Sequence, residues 1–443
     1  MNKSAAIFFT FFFAIFAPHA FAAADGQPAP TVLSLDEALQ TARDRNPELR
    51  KLSYKANEAH LGKWVAISGY LPHISATADQ FMDAEYPQMG VVFGSQTIFM
   101  PAAYPQTDMQ LQASLTVFDG LATYNNYKAA RETAEAADLQ YSRANFKLDE
   151  AVRMKFWQAL AASDLAKVAD QNIKTLNDHL KLVRESRHAG VSTNYDVLRI
   201  EAELDEAKAE KLLADDNEAD SSSALLDVLG VSDTNVVLRG ELPVPAADRV
   251  PKDLQLDLSK RQDVQAQTQM ELAASHKNAA ALGAWFPRVD LFALEEYYHY
   301  GSFSPIVVDQ NGYQNAWAYG LRLTWNIFDG GASIAKKGIE QDLYEEEKQS
   351  TRREDLTSTS EFDRWKRRYF YNCALYNARL RTVDKSQESV RLATIDVKAG
   401  VKTNTEALDA ELELFRARAG VIQSQVDAAE ALAKLELAVG HTL

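Results

Sequence analysis

The stretch Lys398-Ala-Gly-Val-Lys-Thr-Asn-Thr-Glu-Ala-Leu-Asp-Ala-Glu-Leu412 predicts the end of one helix, a tight turn and the start of another helix. Gly400 readily adopts the left-handed conformation that follows helix ends. Thr403 is a favourable N-cap, and Glu406, three residues later, completes a capping box. A matching stretch, Ala189-Gly-Val-Ser-Thr-Asn-Tyr-Asp196, occurs 210 residues earlier. The chain is therefore organised around two helix-turn-helix tips.

The same offset of 210 residues recurs along the chain, which indicates an internal duplication. Phe118-Asp-Gly120 matches Phe328-Asp-Gly330, and Gly230 matches Gly440. Proline, which disrupts helix interiors, is absent from 106–242 and from 306–443. Each repeat is therefore predicted to contain a hairpin of very long helices.

Segments with period-two polarity precede each helix hairpin and predict two strands per repeat. The resulting prediction divides the chain into a signal peptide at 1–22, a first repeat at 23–240, a linker at 241–256 and a second repeat at 257–443. The first repeat is assigned strands at about 73–82 and 107–118 and a helix hairpin at 121–230. The second is assigned strands at about 288–300 and 314–328 and a helix hairpin at 331–440. Segments 83–106 and 301–312 are predicted to be loops.

The N-terminus has the pattern of an export signal. Lys3 precedes an apolar run from Ala5 to Ala17, and Ala20-Phe-Ala22 forms an A-x-A cleavage site. A membrane anchor is the alternative, but this run is too short to span a bilayer. The sequence therefore predicts an exported mature chain that begins near Ala23.

Composition excludes several classes of function. The 443-residue chain has a formal net charge of −15, which argues against nucleic acid as a partner. Its single cysteine, Cys373, permits no internal disulfide and is predicted to be a packed helical residue. Phosphate-binding, metalloprotease and serine-hydrolase motifs are absent, and the histidines form no spaced metal pair. We therefore predict no catalytic residues, no metal site and no cofactor.

The predicted strands have one apolar and one mostly polar face. Trp317, Tyr319 and Trp325 share the apolar face, which is typical of the aromatic girdles of membrane barrels. The core of a β-sandwich is the alternative. Four strands cannot close a barrel, and a sheet in lipid cannot leave an open edge. If the strands span a membrane, several chains must build the barrel together.

The order and duplication of short motifs resemble the outer-membrane efflux protein (TolC) family across nearly the whole mature chain. The motifs in the first half are Leu35-Asp-Glu-Ala-Leu39, Asn46-Pro-Glu-Leu49, Tyr70-Leu-Pro72, Leu115-Thr-Val-Phe-Asp-Gly120 and Ala189-Gly-Val191. Those in the second half are Trp285-Phe-Pro287, Trp325-Asn-Ile-Phe-Asp-Gly-Gly331 and Ala399-Gly-Val401. The resemblance implies an α+β membrane protein of two structural repeats. It also implies a homotrimer with a twelve-stranded β-barrel, four strands per chain, on a long periplasmic α-barrel of coiled-coil helices.

The function implied by the resemblance is a passive exit duct of a tripartite efflux or type I secretion system. Its location would be the outer membrane of a Gram-negative bacterium, surrounded by lipid. A periplasmic adaptor and an inner-membrane transporter would be its partners and would open its helix tips. The alternative is a periplasmic or surface coiled-coil scaffold without a pore. The sequence does not distinguish drug, metal or protein as cargo.

The resemblance assigns the periplasmic aperture to two carboxylates after the second turn, Glu406 and Asp409. Capping of its own helix is the alternative role of Glu406. Lys402 and Asp196 are the expected gate network. A tyrosine that latches neighbouring helices in the family is replaced here by Val397.

The turns themselves are the expected docking surface for the adaptor, and turn formation is compatible with that role. Its residues are Gly190, Val191, Gly400 and Val401.

Overall fold

The computed structural model describes residues 31–82, 88–101, 105–190, 192–232, 236–299 and 312–443. The predicted signal peptide, Val191 and nearly all of the predicted loop 301–312 lie outside these residues.

Long helices dominate the described structure. The helices are α1 (Leu35–Arg45), α2 (Pro47–Ile67), α3 (Ala122–His188), α4 (Asn194–Leu229), α5 (Gln262–Ala280), α6 (Ala332–Lys398) and α7 (Asn404–Val439). Helices α3 and α6 each have 67 residues, and α4 and α7 each have 36. At 1.5 Å per residue, the longer helices extend about 100 Å. The two repeats therefore form two hairpins of the same size.

The strands of the described ranges are short by comparison and form three sheets. They are β1 (Thr31–Leu33), β2 (His73–Gln80), β3 (Gln88–Phe93), β4 (Gln96–Pro101), β5 (Thr107–Phe118), β6 (Val236–Leu238), β7 (Arg288–His299) and β8 (Gln314–Thr324). The main sheet is antiparallel with the order β2-β5-β7-β8. Strands β5 and β7 join the two repeats, so β2 and β8 are the sheet edges.

The main sheet presents exposed aromatic side chains on one face. Trp317 and Tyr319 are 67% and 73% exposed, and their rings stack with centroids 5.9 Å apart. Both are odd-numbered residues of β8, and strand geometry places such residues on the same face. The sheet is therefore not the buried core of a single-chain sandwich.

Two predicted boundaries are wrong. Segment 83–106 was predicted to be a loop, but 88–101 forms the β3-β4 hairpin, because Gly94 with φ +63° provides a tight turn between two strand-forming runs. Strand β8 was predicted to continue to 328 but ends at Thr324. Trp325 lies beyond it, and its indole N–H donates to the Trp285 carbonyl at 3.3 Å, which ties this residue to the junction with the helices.

In the part of the chain that the structure describes, three buried clusters hold the helices together. One joins α1, α3 and α4, and a second joins α6, α7 and the 241–256 segment. In the second cluster Val250 and Cys373 are each 1% exposed, which confirms that Cys373 is a packed residue. The third joins α3, α4 and α7 near the tips. Side by side, the hairpin helices lie in the order α4-α3-α7-α6.

None of the described helices is long and apolar enough to cross a membrane.

A buried carboxylate on α3 predicts a specific pH dependence of stability. Glu150 is 1% exposed and accepts a hydrogen bond from Arg153 at 2.6 Å. Desolvation raises the pKa of Glu150 to about 7; Arg153 opposes this rise, and Glu436 adds to it. An acid with a higher pKa in the folded than in the unfolded state binds more protons when folded. Stability should therefore fall as the pH rises from about 4.5 to about 7.

Glu150→Gln should remove this pH dependence, because glutamine stays neutral and still accepts from Arg153. Relative to wild type, we expect the variant to gain about 3 kcal/mol in free energy of unfolding at pH 8 and little at pH 4.5. Denaturation at both pH values measures the difference, with the exposed Glu48→Gln as the matched control. An equal gain at both pH values would contradict ionisation of Glu150 as the cause.

Candidate functional site at the helix tips

The first tip is a tight turn closed by a capping box. Helix α3 ends at His188, and Gly190 follows with φ +79°. The Thr193 N–H and hydroxyl both donate to the Asp196 carboxylate at 2.8 Å. Asp196 is therefore engaged in capping its own helix, α4.

The second tip repeats this geometry. Gly400 has φ +73°, and the N–H groups of Val401 and Lys402 donate to the Asp396 carbonyl at 2.8 and 3.3 Å. The Thr403 N–H and hydroxyl donate to Glu406 at 2.8 and 3.0 Å. Both tips were predicted from their capping residues, and both have the expected capping boxes.

The carboxylate of Glu406 is a cap and an exposed negative charge at once. The Thr403 N–H and hydroxyl lower the pKa of Glu406, and the nearby Lys402 lowers it further. Glu406 is therefore ionised at neutral pH. Glu406 caps α7 and still presents a negative charge to solvent, so its capping role is compatible with the predicted aperture role.

The second predicted aperture residue, Asp409, joins the two hairpins. Its Oδ1 accepts from Arg199 of α4 at 2.8 Å, and the Asp409 side chain is 58% exposed. Arg199 and Asp409 are 210 residues apart, so they occupy equivalent positions of the two repeats with opposite charges. Sequence reasoning missed Arg199, although this offset would have found it.

Further contacts between the hairpins involve residues that the sequence did not single out. Asn404 Nδ2 donates to Ser192 Oγ at 2.8 Å, which joins the two turns directly. His179 Nδ1 lies 3.0 Å from Glu411 Oε2, and both side chains are largely buried. Residues of these types are common in helices and turns, so their types alone do not predict the contacts. His179 and Glu411 meet because α3 packs on α7.

The residues of the expected gate network lie apart within one chain. Lys402 Nζ is 3.6 Å from Asp396 Oδ2 on its own hairpin, whereas Asp196 contacts Thr193. Val397 is half-buried, and its carbonyl accepts from the Gly400 N–H at 3.0 Å. A valine side chain cannot form the hydrogen bond of a tyrosine latch. Arg199–Asp409 and Ser192–Asn404 provide polar links between the tips instead.

An apolar base lies behind these polar links. Leu180, Val183, Ile200 and Leu204 of the first hairpin pack with Leu408 of the second. Leu408 is adjacent in sequence to Asp409, so the packing fixes the helix that carries the predicted aperture residue.

The turns expected to dock an adaptor are open to solvent. A Cβ added at Gly190 or Gly400 would have no atom within 4 Å, and Val401 is 76% exposed. The Val401 side chain is therefore accessible to another protein at the end of a long hairpin. Val191 lies outside the described residues.

The described ranges hold no group of three or more His, Cys, Asp or Glu side chains arranged to bind a metal ion.

Comparison with known proteins assigns the family. The family model described as outer membrane efflux protein matches residues 38–231 and 254–441, which correspond to the two repeats. The chain belongs to the outer membrane efflux protein family. About a quarter of the aligned residues are identical between this chain and curated members, and the alignments cover most of each protein.

Two relatives from Pseudomonas putida illustrate this similarity. The antibiotic efflux pump outer membrane protein ArpC is 25% identical over 92% of this chain and 83% of its own length. The solvent efflux pump outer membrane protein SrpC is 24% identical over 92% of this chain and 84% of its own. The names of these relatives place them in the outer membrane as parts of efflux pumps.

Solved structures show the same fold at lower identity. CusC has a TM-score of 0.78 and 17% identity, with 92% of each chain covered. VceC from Vibrio cholerae has a TM-score of 0.75 and 16% identity, with 92% of this chain and 96% of that chain covered. The fold of this family member is therefore that of known outer-membrane channels, with helices predominating over strands.

Proposed function

We propose that this outer-membrane protein is the exit duct of a tripartite efflux system, in which it forms a passive, non-enzymatic channel. Type I secretion would use the same duct with another transporter. A periplasmic adaptor and an inner-membrane transporter would be its partners. The observation that carries this proposal is the direct connection of an exposed aromatic sheet to 67-residue helices with charged tips.

The proposed duct is a ring of three copies of the chain. Within the described residues, the main sheet has four strands and leaves β2 and β8 without a partner on their outer sides. Because a sheet in lipid needs every edge paired, closure must come from further chains, and three copies would give twelve strands. The apolar face would contact lipid. As part of the same proposal, each chain is divided into a signal peptide, two repeats and a linker, with the bounds predicted from the sequence.

The tips would then surround the axis of the periplasmic end. Three copies would bring together six carboxylates from Glu406 and Asp409. Like charges at a constriction attract cations and repel anions. Opening would require loss of the Arg199–Asp409 and Ser192–Asn404 contacts as the hairpins separate. An adaptor can favour opening only if it binds the open state more tightly.

Cell fractionation and mass measurement of the detergent-solubilised protein test the architecture. We expect the protein in the outer-membrane fraction, with a protein mass about three times that of the mature chain. A monomer released with the periplasmic contents would contradict the duct and favour the coiled-coil scaffold.

A further inference from the structure

A polar cleft lies where α3, α5, α6 and α7 meet, and its volume is about 260 Å³. The cationic side chains that line it are Arg143, Lys147, Arg261 and Lys434. A neighbouring space of about 460 Å³ reaches α2 as well and shares Arg143 and Lys147 with the first. We call the smaller space the Arg143 cleft.

Arg143 is buried in this cleft but only partly hydrogen-bonded. The residue is 5% exposed, and its Nη2 donates to the Leu437 carbonyl at 2.8 Å and lies 3.0 Å from Asp263 Oδ2. Its Nε and Nη1 N–H groups have no acceptor among the described residues. A buried donor without a partner costs the desolvation free energy of that group, and the cost is larger for a charged group. An acceptor bound in the cleft would remove this cost.

The carboxylates that line the cleft are grouped around a different arginine. Asp263 accepts from Arg261 Nε and Nη2 at 3.0 and 2.8 Å. Glu354 and Glu361 have carboxylate oxygens 3.7 and 3.6 Å from Arg261 nitrogens. The Nε and Nη1 side of Arg143 therefore lacks a carboxylate within hydrogen-bond distance in the described structure.

Unbalanced positive charge surrounds Arg143. Desolvation lowers the pKa of Arg143; Asp263 opposes this shift, and Arg261 adds to it. Lys147 lies four residues from Arg143 and so shares its face of α3, and like charges at this spacing repel. Neither Lys147 nor Lys434 forms an ion pair in the part of the chain that the structure describes. An anion between these three cations would reduce their repulsion.

The cleft is accessible to a small soluble ion. Lys147 is exposed and Lys434 is half-buried, so the cleft opens to solvent beside their side chains. Arg143 lies about 20 residues along α3 from its start at Ala122, which places it roughly 30 Å from the junction with the main sheet. The ligand would therefore be a free anion and not the headgroup of a lipid that contacts the sheet.

We propose that the Arg143 cleft binds a small oxyanion of the phosphate class, held by the Nε and Nη1 N–H groups of Arg143 and the ammonium groups of Lys147 and Lys434. Phosphate offers several strong acceptor oxygens, and arginine binds it through two parallel N–H groups. Because α3 belongs to the first repeat and α7 to the second, the bound ion would join the two repeats. The inference goes beyond the exit duct and does not depend on it, since all three residues belong to one chain.

Calorimetric titration of the purified, detergent-solubilised protein with inorganic phosphate tests this site, with chloride at equal ionic strength for comparison. We expect wild type to bind one phosphate per chain. Lys147→Gln/Lys434→Gln should weaken phosphate binding by about tenfold or more, because two charge-assisted contacts are lost. Folding should be retained, since neither lysine has an ion-pair partner in the described ranges. Lys181→Gln, an exposed lysine elsewhere on α3, is the matched control and should leave the affinity unchanged.

Arg143→Lys provides a second variant. It keeps a cation beside Asp263 but loses the planar pair of N–H groups, so phosphate should again bind more weakly. Binding to the folded state raises stability, so phosphate should raise the Tm of wild type more than that of Lys147→Gln/Lys434→Gln. A rise common to both proteins would be the general stabilising effect of this salt.

The absence of saturable phosphate binding by wild type would overturn the site. Equal affinity in wild type and Lys147→Gln/Lys434→Gln would also overturn it and would show an adventitious ion only. Wild-type affinity in a folded Arg143→Lys variant would contradict the role of Arg143. Conductance plays no part in these measurements, so their failure would leave the proposed duct intact.

Discussion

Replacing Glu406 with glutamine and Asp409 with asparagine is expected to reduce the cation-over-anion permeability ratio of the reconstituted channel roughly tenfold. The Glu406 charge is exposed at the second tip and is held ionised by the Thr403 hydrogen bonds. Asp409 is more than half exposed despite its pairing with Arg199. Three copies would place six such charges around one narrow path, and neutral replacements would remove their attraction for cations. Reversal potentials in asymmetric salt measure this ratio.

Arg199→Ala separates two roles of the tip residues, the charge that selects ions and the contacts that hold the tips closed. This variant removes the 2.8 Å ion pair to Asp409 but leaves both carboxylates in place. We expect a higher open probability with cation preference retained.

An unchanged permeability ratio in the Glu406→Gln/Asp409→Asn variant would show that these carboxylates do not line the aperture.

The largest expected effect on stability is that of Gly120→Ala at the junction between β5 and α3. Gly120 has φ +69°, and a Cβ there would lie 2.8 Å from Gly283 Cα and 2.9 Å from Phe286 Cβ. An alanine would incur both left-handed backbone strain and a clash with backbone atoms. We expect a loss of about 3 kcal/mol or more in free energy of unfolding. Thermal and denaturant unfolding of the purified protein measure it.

Gly330→Ala is the matched control, because Gly330 is the equivalent residue of the second repeat. It has φ +71°, but no atom lies within 4 Å of its Cβ position. Only the backbone strain should act there, with a loss of about 1–2 kcal/mol. Equal losses at the two positions would show that the contact with Gly283 does not restrict this junction.

The features predicted best from sequence are those encoded locally. Each tip depends on a glycine with positive φ and a threonine with an acid three residues later, and these signals lie within one turn of chain. The repeat offset then relates the two hairpins. The β3-β4 hairpin was missed because Gly94 and nearby prolines were interpreted as a loop, although a glycine turn is equally typical of a hairpin.

Contacts between hairpins depend on how the helices pack, so residue types alone did not identify them. Arg199, Ser192 and His179 are ordinary helix or turn residues until α3 and α4 are placed beside α7. The pairing of Lys402 with Asp196 is the opposite case, because residue types suggested a contact that one chain does not form. Within one chain each residue has a local partner, Asp396 or Thr193, so pairing between these two would need a neighbouring copy.

Single-channel recording of the purified wild-type protein in a planar lipid bilayer tests the exit duct most directly. We expect discrete conductance steps with a preference for cations, produced by an assembly of three chains. Correctly folded, assembled protein that inserts into the bilayer and produces no conductance steps would contradict it.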